Sequence, residues 1–311
     1  MSWGEVCGLD GIVIGYALCS SALLVVNKVA VHHLPAPFFV LLLQTLSATI
    51  FVRVSTSCGL LEVDEWDWGK ARSFFPVALV FLAAIVTNMK TLQHANVETF
   101  IVFRVSTPLV IGVAEWLFMG RELPDWRSMV AMTISLAGVI TYALNDHAFQ
   151  VAGYMWVMVW YVIFCFDQLY IKHVVDVVTF KSNWGRVFYC NLWASGMLLV
   201  ITLASSDRSV LHARVDRVGA EKAGVVLLSC VVGVGISYFA FACREALSAT
   251  SFTVVGNACK IITVLLNICI WDKHASPLGI SMLILCLASS ALYRQSPKRV
   301  AVDDETAPAL A

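Results

Sequence analysis

The chain has 311 residues, of which 59% are hydrophobic and only 14% charged, and its 21 Lys and Arg balance 21 Asp and Glu. A mean hydropathy of +0.80, carried by apolar runs of about 20 residues that are each long enough to cross a bilayer, excludes a soluble domain. Zero formal net charge argues against a nucleic-acid partner, and the lack of short alternating segments argues against a β-barrel.

The apolar runs predict ten spans, near 11–32, 37–55, 75–93, 97–118, 126–144, 150–171, 184–204, 222–243, 248–271 and 276–294. The expected fold class is an all-α polytopic membrane protein. Glu5 and Asp10 stand where a cleaved leader would carry cations, so the first run is expected to be retained. The ten cysteines lie mostly inside apolar runs without metal-ligand spacing and read as small buried hydrophobes.

Span 1 carries Tyr16 and, three turns on, Asn27 and Lys28. Tyr16 suits stacking on a base as well as plain packing, and Lys28 suits an interfacial anchor as well as a cavity. Span 4 places Phe100, Arg104, Ile111 and Glu115 on one helical face. The fork of donors on Arg104 can grip a phosphate bidentately. Glu115 lies about 16 Å from it along the axis and reads as structural. Span 6 ends with Asp167 and Gln168 side by side, a carboxylate that balances a cavity cation or marks a gate.

Span 7 carries Tyr189 and Asn191 in FYCN (188–191), and span 8 carries Ser237 beyond Gly233 and Gly235. A carboxamide at membrane depth can read a base edge or join two helices, and small residues also serve packing. Span 9 holds Lys260 near its middle, with Phe252, Gly256, Thr263 and Asn267 on the same face. A cation at that depth costs about 2.5–3.5 kcal/mol on insertion scales, so it snorkels, pairs, or faces an aqueous cavity that wants an anion.

Charge placement sets the expected orientation. Arg53, Lys70, Arg72, Arg121, Arg127, Lys172, Lys181, Arg186, Arg244, Arg294, Lys298 and Arg299 fall on the side of the even connections and both tails. Arg208, Arg214, Arg217, Lys222 and Lys273 fall on the other, which predicts cytosolic termini. A shift of 152 residues lays span 4 over span 9, matching Phe100 with Phe252 and Val102 with Val254, and setting Arg104 one turn from Lys260. Five spans per half invert the second half relative to the first, the plan of carriers whose site lies between the halves at mid-membrane. The expected organisation is a cytosolic N-terminus (1–10), two five-helix repeats (11–146 and 147–295) and a disordered cytosolic tail (296–311). Two cations, one per half, suit a phosphate-bearing solute. No nucleophile and base pair, phosphate loop or zinc motif occurs, so an enzyme is not expected.

IGYALCSSALLVVNK (14–28), HANVETFIVFR (94–104), YIKH (170–173), GISYFAFACREALSATSFTV (235–254) and NICIWDKHASPLG (267–279) carry a family likeness over almost the whole chain. With FYCN and GNACK (256–260), the chain resembles the nucleotide-sugar transporters of the drug/metabolite transporter superfamily, GDP-sugar branch. Plant-type GDP-fucose transporters are nearest, then fungal GDP-mannose transporters. Family Asn residues are replaced by Cys190 and Cys259, and Phe100 and Phe252 stand where the fungal branch has Tyr. The candidate Asn257 is displaced by two positions from the Asn lost at Cys259, about 200° round the helix, and does not simply replace it. The resemblance implies that Asn191 and Ser237 contact guanine, that Gly256 admits the nucleotide closely, and that Arg104 and Lys260 hold the diphosphate. It also implies that Tyr16, Phe100 and Phe252 line the cavity. The implied activity is exchange of GDP-fucose or GDP-mannose for GMP across the Golgi membrane by alternating access, without a cofactor. Membrane lipid is the other expected partner, and a homodimer is compatible with the sequence. A UDP-sugar carrier, a sugar-phosphate exchanger of the same superfamily and a non-transporting protein with a degenerate site remain the alternatives.

Overall fold

The structure, a computed structural model, describes residues 8–94, 97–144, 151–214, 220–270, 281, 285 and 293–298. The predicted tenth span falls almost wholly outside these residues, as do most of the two terminal segments. The side chains of Lys28 and Lys260 lie outside them as well.

The described residues form ten helices in order: α1 (Leu9–His33), α2 (Pro37–Ser57), α3 (Trp68–His94), α4 (Val97–Phe118), α5 (Trp126–Leu144), α6 (Val151–Val177), α7 (Asn183–Ala204), α8 (Asp207–Arg214), α9 (Ala220–Ala246) and α10 (Ala249–Ile270). All but the short α8 coincide with a predicted span. Among the described residues, six (α1, α2, α3, α6, α7 and α9) are long and apolar enough to cross a membrane. The chain is thus an all-α polytopic membrane protein. Large apolar side chains such as Phe51, Val162, Phe166, Val200 and Leu227 point outward, as a surface solvated by lipid tails requires.

The packing has a paired pattern. Helix α1 lies against α9 as α6 lies against α3, and α9 meets α2 as α3 meets α7. Helix α10 meets α1 as α4 meets α6, and α2 packs on α7, α4 on α10, and α5 on α4. The main core fills the space between α2, α3, α6, α7 and α9 with Val52, Phe74, Val77, Val174, Val187 and Phe241.

Two helix starts depend on acids from distant sequence. Helix α2 begins with Pro37 after an Ala that offers no cap, and Asp207 accepts from the amides of Phe38 (2.8 Å) and Phe39 (3.1 Å) instead. Helix α10 is served by Glu115 of α4, which accepts from the amides of Ala249 (2.8 Å) and Thr250 (3.1 Å) and from the Thr250 hydroxyl (2.6 Å). Exposed donors at a helix start carry partial positive charge, so a buried carboxylate is well placed there. Arg121 Nε, 3.3 Å away, completes the neutralisation of Glu115.

These contacts define the two ends of the bundle. The α2–α3, α4–α5, α6–α7 and α9–α10 connections gather at one, here the near end. There Asp64 accepts from the Lys181 amide at 3.0 Å, Ser182 donates to the Glu62 carbonyl at 2.5 Å, and Arg186 pairs with Glu245 at 2.9 Å. Lys172, 2% exposed, donates to the Arg244 carbonyl at 2.6 Å and pairs with Asp176 at 2.7 Å. It thereby serves the negative end of α9. The α1–α2 and α7–α8 connections lie together at the far end.

Candidate functional site

A cavity of about 600 Å³ lies between the helices, within the usual range of about 300–1,000 Å³ for small-molecule sites. Its wall includes Val31, Pro37 and Met89 at the far end and reaches down to Phe252, Gln168 and Arg244. Apolar residues make up most of the lining, with Ser20, Asn27, Gln44 and Asn88 as polar members higher in the wall. Gln44 Nε2 donates to Asn27 Oδ1 at 2.7 Å and so joins α2 to α1 across the wall.

Charge concentrates low in the cavity, where Arg104 of α4, Asp167 of α6 and Arg244 of α9 all line it. Aromatic faces hold both cations. The Arg104 guanidinium carbon is 4.6 Å from the Phe164 ring centre, and that of Arg244 is 4.0 Å from Phe252. Such stacking fixes a guanidinium plane while leaving its edge donors free for an anion. Tyr16 completes the aromatic wall, its ring tilted against Phe252 at 5.0 Å.

The position of Arg104 follows from its neighbour in sequence. Pro108 lies inside α4 and has no N–H, so the Arg104 carbonyl loses its intrahelical donor. Thr107 Oγ1 (2.6 Å) and Asn257 Nδ2 (3.1 Å) donate to that carbonyl instead. Asn257 Oδ1 in turn accepts from Arg104 Nε at 3.1 Å. A proline thus creates the vacancy that ties α4 to α10 at the floor of the cavity, and the freed Arg104 carbonyl is satisfied as membrane depth demands.

The structure brings together Tyr16, Arg104, Phe252 and Gly256 on the cavity wall. An added Cβ at Gly256 would lie 3.2 Å from the Tyr16 hydroxyl, so the missing side chain makes room for that tyrosine. Phe100 sits one layer behind the wall, its ring 4.4 Å from that of Trp160, which lines the cavity. Asn257 is 1% exposed and acts on Arg104, not on the open space. Three other candidates stand away from the wall. Asn191 turns its amide back to the Val187 carbonyl at 2.9 Å. Tyr189 is packed in the main core and accepts from the Asp67 amide at 2.8 Å. Ser237 is half-buried on α9, beside the lining residue Ile236. Of Lys260 only its place on α10, one turn beyond Gly256, is described. The two substituted cysteines, Cys190 and Cys259, are both packed in hydrophobic clusters.

Arg244 joins the site without having been among the sequence candidates, and Gln168, noted beside Asp167 without a role, joins it too. Arg244 reads as a loop cation because the apolar run ends near 243, whereas α9 continues to Ala246. Its spacing from Ile236 and Ala240, both in the cavity wall, is the signal that locates it.

Residues 10–294 match the Triose-phosphate Transporter family. GDP-fucose transporter 1 of Arabidopsis thaliana is 38% identical over 93% of this chain and 86% of its own length. GDP-mannose transporter GONST3 of the same plant is 34% identical over 92% of this chain and 78% of its own. The GDP-mannose transporter of Aspergillus terreus is 24% identical over 89% and 78%. The likeness to the GDP-sugar branch read from the sequence is met in these relatives. One solved crystal structure, 17% identical, covers 91% of this chain and 96% of its own at a TM-score of 0.64, which speaks to the fold alone.

Proposed function

The chain belongs to the Triose-phosphate Transporter family, and from that premise we propose that it exchanges a GDP-sugar, GDP-fucose or GDP-mannose, for GMP. The observation that carries the proposal is the pair of aromatic-seated guanidiniums, Arg104 and Arg244, in one cavity. Relatives named as GDP-fucose and GDP-mannose transporters support the cargo class. Closing an empty cavity around uncompensated cations is costly, and a bound phosphate removes that cost. Either nucleotide supplies the anion, so the loaded carrier reorients and exchange is favoured over one-way transport.

The paired packing of α1 with α9 and α6 with α3, and of α9 with α2 and α3 with α7, supports two inverted five-helix repeats, 11–146 and 147–295. The distribution of Lys and Arg supports cytosolic termini, which puts the near end in the cytosol and the cavity's upper wall toward a Golgi lumen. Arg104, Arg244 and Lys260 are assigned to the phosphates, and Tyr16, Phe252 and Gly256 to the nucleotide's flat and narrow parts. Asn191, Ser237, Phe100 and Tyr189 support the walls from behind in this conformation, and Asn257 holds Arg104.

Counter-flow in proteoliposomes tests the reading. Vesicles preloaded with GMP should take up GDP-fucose or GDP-mannose far faster than vesicles preloaded with UMP, CMP or buffer. Equal stimulation by all three monophosphates removes the guanine assignment. Uptake of UDP-sugars or sugar phosphates alone points to the neighbouring carrier types, and no uptake by a folded protein removes transport.

A further inference from the structure

Helix α6 lines the cavity with Trp160, Phe164, Asp167 and Gln168. Asp167 is 3% exposed, yet only one of its oxygens is satisfied: Oδ2 accepts from Gln168 Nε2 at 2.8 Å, while Oδ1 has no hydrogen-bond partner. Arg244 shows the complementary gap. Its Nη2 donates to Gln168 Oε1 at 3.4 Å, and its Nε has no partner. Arg104 is held through Nε by Asn257. Both guanidiniums line the same cavity as Asp167, but no ion pair within 4.0 Å joins it to either among the described residues.

A carboxylate kept at a distance from two cations is an expensive arrangement unless the separation is used. A direct bridge would occupy the fork edges that an anion needs, and each cargo would have to break it. Attraction through space lowers the cost of the empty cavity and leaves those edges open.

We propose that Asp167 is a resident counter-charge: it sets the net charge that cargo must balance and so limits how tightly an anionic nucleotide is held. The inference rests on the anion-exchange reading above. With Asp167 ionised, the formal charge of Arg104, Arg244 and Asp167 is one positive. With a neutral amide in its place it is two positive, and a phosphate dianion then meets no repulsion from this position. Asp167 favours release over tight binding, which is what an exchanger with cargo on both sides requires.

Equilibrium binding of guanosine, GMP, GDP and UMP to the purified full chain tests this in the wild type, Asp167→Asn, Arg244→Gln and the double variant. Asp167→Asn should bind GMP about tenfold more tightly and GDP more tightly still, with guanosine unchanged. In counter-flow its KM and kcat should fall together. Arg244→Gln should weaken GMP and GDP but not guanosine, and adding Asp167→Asn should recover most of the loss. A wild-type affinity for GMP in Asp167→Asn, or a shift of guanosine by the same factor, overturns the proposal. Should Asp167→Asn fail to fold, Arg244→Gln decides, because equal weakening of guanosine and GDP removes the charge argument. The GMP to UMP ratio in the wild type reads the cargo assignment separately. A ratio of one defeats the guanine reading and leaves the effect of charge to be judged on its own.

Discussion

Arg104 and Asn257 hold each other in both directions, Arg104 Nε donating to Asn257 Oδ1 and Asn257 Nδ2 to the Arg104 carbonyl, each at 3.1 Å. The second bond exists because Pro108 cannot supply the donor that an ordinary helix would offer. One substitution pattern separates these roles. Asn257→Ala should cost about 1–3 kcal/mol of stability, since a buried donor and acceptor lose their partner. It should also raise the KM for nucleotide, because Arg104 is no longer aimed. Pro108→Ala should restore the intrahelical bond and leave thermal stability unchanged or higher while impairing exchange. Thermal unfolding in detergent, paired with counter-flow kinetics, reads both. Wild-type KM in a folded Asn257→Ala protein would release Arg104 from this dependence.

Gly256 and Tyr16 make the next test. Gly256→Ala places a Cβ 3.2 Å from the Tyr16 hydroxyl, close enough that the ring must shift. Tyr16 touches Phe252, and Phe252 carries Arg244, so the shift reaches a cation. Overpacking of this kind typically costs about 1–3 kcal/mol, and nucleotide affinity should fall with it. Adding Tyr16→Phe removes the offending oxygen and should recover much of the affinity, as measured by binding isotherms. A double variant no better than Gly256→Ala alone would mean that the glycine serves another neighbour.

Much of this was legible in the residues. Length and hydropathy place nine of the predicted spans where helices form, since about 20 consecutive apolar residues leave little choice at membrane depth. Tyr16, Arg104, Phe252 and Gly256 emerge from helical spacing together with the family motifs, and they share the cavity wall. What spacing does not convey is which neighbour an inward face meets. Asn257 looks displaced from its motif, yet α4 presents a proline-freed carbonyl at that height. FYCN gives no sign that Tyr189 reaches an amide in the 58–67 connection. Arg244 is hidden by its setting: an apolar run ends, but the helix continues because Lys172 answers its last carbonyls.

Glu115 is a stability test at a residue outside the cavity wall. It serves the start of α10 and pairs with Arg121, and both are largely buried. Glu115→Ala strands a buried arginine and uncaps a helix, a loss of about 3–5 kcal/mol. Glu115→Gln keeps one acceptor and should cost less. Thermal unfolding in detergent should rank the three proteins in that order. If Glu115→Ala melts with the wild type, the cap contributes little.

The junction between the 58–67 connection and the start of α7 should respond to acid through Asp64. Burial opposes its charge, but hydrogen bonds from the Lys70 ammonium and the Lys181 amide outweigh that effect and hold the carboxyl below its ordinary value of 3.8. The folded protein therefore binds this proton more weakly than the unfolded chain does. Its stabilising contribution is fully present above the ordinary carboxylate value and is lost as pH falls below it through the lowered value. Hydrogen exchange at the Lys181 amide, which donates to Asp64 Oδ2 at 3.0 Å, reports on the junction directly. After correction for intrinsic rates, protection should stay level from neutral pH to about 5 and drop below about 4. Asp64→Asn should lower protection across the whole range and flatten the profile. A wild-type profile that stays flat well below the ordinary carboxylate value, down to about pH 2, would show that the Lys181 amide is protected by something other than this carboxylate.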